Sequence, residues 1–213
     1  MIKHYLFDLD GTLTDPFEGI TNSVVHALKR YSIGVSDKSE LRVFIGPPLV
    51  ESFMKYYGFT EDEAKNAVEV YREHFGIKGL FENELYEGIP QMLEALKARG
   101  KTIIMATSKP QVYARRIAEH FDIAKYFDYM AGSELNGVRV AKTEVIEYAL
   151  NELGITDREN CIMIGDRLHD INGAKKSGLR SIGVLWGYGS KEELEEAGAD
   201  FICEKVEDIL NID

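Results

Sequence analysis

Short runs of consecutive apolar residues recur along the chain, separated by segments whose apolar positions fall every three or four residues. The runs are Tyr5-Leu6-Phe7, Thr102 to Ala106, Tyr129-Met130-Ala131, Cys161 to Ile164, Ser181 to Leu185 and Phe201-Ile202. Unbroken runs of this length suit strands buried on both faces, the environment of a parallel sheet. Helical patterns lie between them. Lys142 to Leu153 puts Val145, Ile146, Ala149, Leu150 and Leu153 on one stripe, with Gly154 as a stop. Pro90 to Arg99 reads the same way, with Gly100 as its stop. Pro110 is expected just inside the helix that follows Thr107, where its missing N–H costs little. Strand and helix in alternation predict an α/β fold with a doubly wound parallel sheet.

Residues 15–84 break the alternation and read as helical throughout. Phe17 to Tyr31, Leu49 to Tyr57 and Thr60 to Phe75 are the expected helices, and Thr60 with Glu63 forms a capping-box signature. This stretch is too long for one crossover helix. The expected organisation is an α/β core of residues 1–14 and 85–213, with 15–84 inserted as an all-helical domain.

Composition narrows the class. The chain has 213 residues, 45% hydrophobic and 29% charged, ordinary for a soluble globular protein. No apolar run nears the roughly 18 residues that span a membrane, and the acidic Asp8 comes too early for a signal peptide. The two cysteines, Cys161 and Cys203, are far apart, so a reducing cytoplasm is expected. The net charge of -11 and the lack of a basic cluster disfavour nucleic acid as a partner. The five histidines form no ligand-spaced cluster, which disfavours zinc, and His169 is expected at the surface. An anionic small molecule stays possible, because a metal ion and one lysine reverse the local sign of a pocket.

The candidate chemistry sits where strands end. Asp8-Leu9-Asp10-Gly11-Thr12-Leu13 puts two carboxylates, two residues apart, after the first strand. Open α/β sheets bind ligands at that end. One carboxylate can attack while the other shuttles a proton. Thr107-Ser108 follows the second strand, and a hydroxyl with helix N-terminal amides would make an anion site. Gly165-Asp166-Arg167-Leu168-His169-Asp170 supplies two more carboxylates, which with a bound phosphate suit Mg²⁺. Lys142 opens a helix, the wrong end for its charge, so a functional role is expected. Taken singly, these aspartates and hydroxyls would also pass as turn or N-cap residues.

Together, in this order, Asp8-Leu9-Asp10-Gly11-Thr12, Thr107, Lys142, and Gly165-Asp166 with Asp170 resemble the four motifs of the haloacid dehalogenase-like superfamily. The resemblance covers essentially the whole chain, and the insert looks like that family's helical cap. Phe44 to Leu49 and Ser108-Lys109-Pro110 look like phosphoglycolate phosphatases and their nucleotidase-like relatives. In many relatives a proline follows the third-motif lysine; here it is Thr143.

The resemblance implies roles. Asp8 would attack phosphorus and become an aspartyl phosphate, and Asp10 would protonate the leaving alcohol and then activate water. Asp8, the Asp10 carbonyl and Asp166 would hold Mg²⁺, supported by Asp170. Thr107, Ser108 and Lys142 would bind the phosphoryl group. Phe17, Glu18, Thr21, Asn22, Gly46 and Pro47 are the cap positions expected to select substrate. The expected activity is hydrolysis of a small phosphorylated metabolite, phosphoglycolate phosphatase-like, by a monomer or homodimer. The alternatives are a nucleoside 5'-monophosphate phosphatase, a phosphomutase of the same superfamily, or a phosphometabolite-binding protein without catalysis. Trp186 is expected either to border the pocket or to pack, and Glu192 to Glu196 to form a solvated helix face.

Overall fold

The computed structural model describes residues 1–212. They form two compact units, residues 1–15 with 85–212, and residues 16–84.

The first unit is a six-stranded sheet with helices packed on it. Its strands are β1 (His4–Phe7), β2 (Thr102–Pro110), β3 (Tyr129–Ser133), β4 (Cys161–Gly165), β5 (Arg180–Val184) and β6 (Phe201–Cys203). All pair in parallel, in the order β3-β2-β1-β4-β5-β6. Leu6 lies between Ile104 and Met163, and Phe7 between Met105 and Ile164. Successive side chains point to opposite faces, and all six are fully buried, so both faces are covered. On one face Leu6, Ile104 and Met163 share a core cluster with Val145, Ile146, Ala149 and Leu150. This explains the unbroken apolar runs, and it is the doubly wound sheet the sequence predicts.

The strand order reverses direction at β1. The chain winds out through β2 and β3, then restarts on the other side with β4. In such sheets the crevice at the carboxyl ends of the two diverging strands is where ligands bind. Asp8 follows β1 directly, and its amide donates to the Ile164 carbonyl of β4 at 2.9 Å.

The second unit is helical. It contains α1 (Phe17–Arg30), α2 (Leu49–Tyr57) and α3 (Glu61–His74). Thr60 and Glu63 form the expected capping box. Phe44 and Phe53 meet edge to face, and Phe53 stacks on Phe59, giving the unit its own aromatic core. The three expected helices are present; between the first two, residues 33–48 contain only a 3₁₀ turn at Lys38–Phe44, and α3 ends in a π turn at Phe75–Gly79. The π turn lies against α1, where a Cβ on Gly19 would come within 2.0 Å of the Gly79 carbonyl oxygen.

The remaining helices return to the sheet unit: α4 (Ile89–Ala98), α5 (Gln111–His120), α6 (Lys142–Glu152), α7 (Leu168–Lys176) and α8 (Lys191–Ala197). Glu193 of α8 is more than a solvated residue. Its carboxylate accepts from the Arg167 side chain and from the Leu168 amide, both at 2.8 Å, capping α7.

Candidate active site

Asp8 lies just beyond β1, and Lys142, the first residue of α6, reaches it. Lys142 Nζ is 2.8 Å from Asp8 Oδ1 and 2.8 Å from Asp170 Oδ1, and it donates to the Ala106 carbonyl at 3.0 Å. The ammonium thus donates to one backbone carbonyl and lies at ion-pair distance from two carboxylates. The lysine side chain is only 4% exposed. Its stem passes over α7 at Gly173, where a Cβ would clash at 2.7 Å. Burial alone would depress the Lys142 pKa, but the Asp170 and Asp8 charges outweigh it and push the ammonium above its ordinary value.

Asp10 has a different partner. Lys109 Nζ sits 2.5 Å from Asp10 Oδ2, and both side chains are largely buried. Burial pushes the Asp10 carboxyl up, Lys109 opposes this, and the Asp8 charge adds to it. The two carboxylates of the first motif are thus matched to two separate cations.

Asp166 lies at the end of β4. Its Oδ2 accepts the Tyr188 amide at 2.7 Å, while Oδ1 is buried with no hydrogen-bond partner. Gly11, at φ +81°, passes over this carboxylate; a Cβ there would lie 2.1 Å from Asp166 Oδ2. Asp170 lies in the first turn of α7, and its Oδ2 accepts from the Arg167 amide at 3.1 Å. Carboxylate oxygens of Asp8, Asp166 and Asp170 all fall within 4.8 Å of one another. Three carboxylates, each with a buried oxygen that accepts no hydrogen bond, fit a hard divalent cation with oxygen ligands.

The same crowding sets a pH dependence. Burial and the Asp170 charge push Asp166 well up, and burial with the Asp8 charge raises Asp170 to about 6 against the opposing pull of Lys142. A folded carboxyl whose pKa exceeds its unfolded value binds protons more tightly when folded. Its contribution is fully present below the unfolded pKa and is lost as pH rises through the folded one. In EDTA, these groups are expected to make the protein melt higher near pH 5 than near pH 7.5. Excess Mg²⁺ should flatten the difference, and a melting point that climbs with pH in EDTA would contradict the carboxylate cluster as its source.

The sequence profile of a family described as haloacid dehalogenase-like hydrolase matches residues 5–184. The chain belongs to that family. It is 53% identical to a protein described as 5'-nucleotidase from Pseudomonas aeruginosa, over 93% of this chain and 89% of that one. It is 36% identical to tyrosine-protein kinase PtkA of Mycobacterium tuberculosis, over 92% of this chain and 67% of that one. A crystal structure described as a predicted phosphatase from Clostridium acetobutylicum superposes with a TM-score of 0.95 at 48% identity, covering all of both chains. The protein is therefore an enzyme of the family's hydrolase class, with the α/β fold of its members.

Within this hydrolase the sequence expectations meet the geometry unevenly. Asp8, Asp166, Asp170 and Lys142 come together. Thr107 is buried, but it lies within β2 and not at a helix N-terminus. The backbone stays extended as β2 to Pro110, which caps α5 from outside rather than sitting in its first turn. The Thr107 hydroxyl instead accepts the Lys109 amide at 3.2 Å. The Ser108 carbonyl accepts from the Ser133 hydroxyl at 2.7 Å. Lys109 is the residue that motif reasoning left without a role. Its signal was its position: two residues after Thr107 on an extended segment, hence on the same side.

The insert residues are engaged within their own unit. Thr21 is fully buried and donates to the Phe17 carbonyl at 2.7 Å, its hydroxyl turned into α1. Asn22 donates to Glu82 at 2.9 Å, and Glu18 pairs with Lys38 at 3.2 Å. Gly46 is exposed, with φ +102°, and Pro47 is half-buried beside it. Trp186 donates its indole N–H to the Thr12 carbonyl at 3.0 Å. His169 is exposed. Among the described residues no helix is long and apolar enough to cross a membrane.

Proposed function

We propose that this enzyme is a Mg²⁺-dependent phosphatase that hydrolyses small phosphomonoesters through an aspartyl phosphate on Asp8, with nucleoside 5'-monophosphates as the preferred class. The observation that carries the chemistry is the convergence of Asp8, Asp166 and Asp170, with Lys142 joining two of them. Of the leaving groups left open by sequence, the nucleoside is favoured over glycolate by the 53% identity to the relative described as 5'-nucleotidase.

In this reading Asp8 attacks phosphorus, held in place by Lys142. Asp10 gives its proton to the leaving oxygen, and later takes one from the water that cleaves the aspartyl phosphate. Burial raises its pKa, which favours the protonated form that the first step needs. Lys109 sets the direction of the Asp10 carboxyl and adds positive charge near the phosphoryl group. Thr107 and Ser108 bind the phosphoryl oxygens. Asp8, the Asp10 carbonyl and Asp166 hold Mg²⁺, with Asp170 in support. When bound, Mg²⁺ supplies the positive charge that lets an anionic carboxylate approach an anionic ester. The helical insert, residues 15–84, serves as the cap that selects substrate. Both cysteines are free and buried, in keeping with a reducing cytoplasm.

The test is a phosphate-release screen with Mg²⁺ over nucleoside monophosphates, phosphoglycolate and sugar phosphates. Turnover should be highest on a nucleotide, stop in EDTA and return with Mg²⁺. Activity that survives chelation would sink the metal reading, and preference for phosphoglycolate would sink the nucleotide reading. The relative described as a tyrosine-protein kinase favours a second reading, transfer of the phosphoryl group to a hydroxyl acceptor. Failure to release inorganic phosphate from any of these esters would favour it.

The Asp10 role has its own check. Asp10→Asn is expected to lose on the order of 10³-fold in turnover with a nucleotide, whose alkoxide must be protonated. With p-nitrophenyl phosphate, whose leaving group needs little help, the loss should be much smaller. Equal losses on the two substrates would remove Asp10 as the acid.

A further inference from the structure

The segment that follows β5, Leu185 to Gly189, lies on Asp166 and on the loop after β1. The Tyr188 amide donates to Asp166 Oδ2 at 2.7 Å. The Tyr188 hydroxyl donates to Asp15 Oδ1, and the Trp186 indole donates to the Thr12 carbonyl at 3.0 Å. The glycines on either side of Tyr188 leave no room for a side chain. A Cβ on Gly187 would lie 2.5 Å from Asp166 Oδ2, and one on Gly189 would lie 1.9 Å from the Asp166 carbonyl oxygen.

The strap therefore lies flat against Asp166 and divides its two oxygens. Oδ2 is taken by an amide, and Oδ1 is left buried and unpartnered. A carboxylate pinned through one oxygen presents the other in a fixed direction, as partners behind a metal ligand commonly ensure. An amide can pin only as well as its own backbone is held. Here the two flanking side chains, Trp186 and Tyr188, anchor it on the segment that carries Thr12 and Asp15.

We infer that Tyr188 is a positioning residue for the metal site: its hydroxyl, anchored on Asp15, holds its own amide against Asp166, so that Oδ1 is the oxygen offered to a divalent cation. The inference rests on the reading of Asp166 as a metal ligand. Phenylalanine at this position keeps the ring and the amide and removes the hydroxyl that reaches Asp15.

Mn²⁺ binding to the purified full chain, followed by electron paramagnetic resonance, tests this without turnover. Tyr188→Phe should bind Mn²⁺ about tenfold more weakly than the wild type. Asp15→Ala should match it, and combining the two should weaken binding no further, because both remove one interaction. Asp15→Asn, whose amide oxygen still accepts from the tyrosine, should bind as the wild type does; this also controls for a general loss of structure. Equal Mn²⁺ affinity in the wild type and Tyr188→Phe would overturn the inference. A wild type that binds no Mn²⁺, or Asp166→Asn binding as tightly as the wild type, would overturn the metal reading beneath it.

Discussion

Asp8→Asn is expected to abolish turnover while leaving the fold in place. Asparagine has the same shape, and its amide oxygen can still accept from Lys142, which remains paired with Asp170. What is lost is the proposed nucleophile: a neutral amide oxygen does not displace an alkoxide from phosphorus. The loss should be on the order of 10⁴-fold or more, as when a covalent nucleophile is removed from other hydrolases. Asp8→Glu should also fail, though less completely. One extra methylene moves the attacking oxygen by about 1 Å, enough to cost roughly 10²-fold through misalignment alone. The measurement is phosphate release on the best substrate, with thermal melting alongside as a control. More than about 1% of wild-type turnover in a clean Asp8→Asn preparation would reject the nucleophile assignment.

The sequence made the sheet legible because its strands are buried on both faces. Burial leaves an apolar residue at every position, as at Tyr5-Leu6-Phe7 and Ile162-Met163-Ile164. The same signal misplaces the end of β2. Its apolar run stops at Ala106, but the backbone stays extended to Pro110, and Lys109 on this stretch reaches Asp10. Polar residues there end the apolar pattern before the strand itself ends, while the helix starts close to Pro110 as expected. The candidate aspartates were legible because they sit at strand ends in a fixed local pattern. The contacts that tune them were not. Lys109 meets Asp10 across 99 positions, and Tyr188 meets Asp166 across 22. Gly11 and Gly187 look like turn residues in one dimension, yet each is needed because Asp166 occupies the space a Cβ would take. Such requirements come from packing between distant segments, and no local window carries them.

Lys142→Met is expected to cost stability as well as activity, and the two losses should separate with metal and pH. Lys142 contacts both Asp8 and Asp170, and Asp166 lies within the same cluster. Methionine fills much the same volume but leaves buried carboxylates facing one another without compensation. Removing one partner of a buried ion pair typically destabilises by roughly 3–5 kcal/mol, more than either charge contributes at a surface. Chemical denaturation in EDTA near neutral pH should register this loss. Acidification should shrink it, because a protonated Asp170 no longer needs a counter-charge; its carboxyl, already raised to about 6 by burial, rises further without the ammonium. Mg²⁺ should also recover part of the stability by supplying charge to the same oxygens. Turnover should stay down in every condition, by about 10²–10³-fold, since in the proposed mechanism the lysine also orients the attacking carboxylate. Lys142→Arg should rescue neither property well. Its planar fork cannot reach Asp8, Asp170 and the Ala106 carbonyl together from a stem confined against Gly173. Wild-type stability of Lys142→Met in EDTA at neutral pH would mean that the carboxylates are relieved by another route, and the lysine would then be a ligand for phosphate and not the hub of the site.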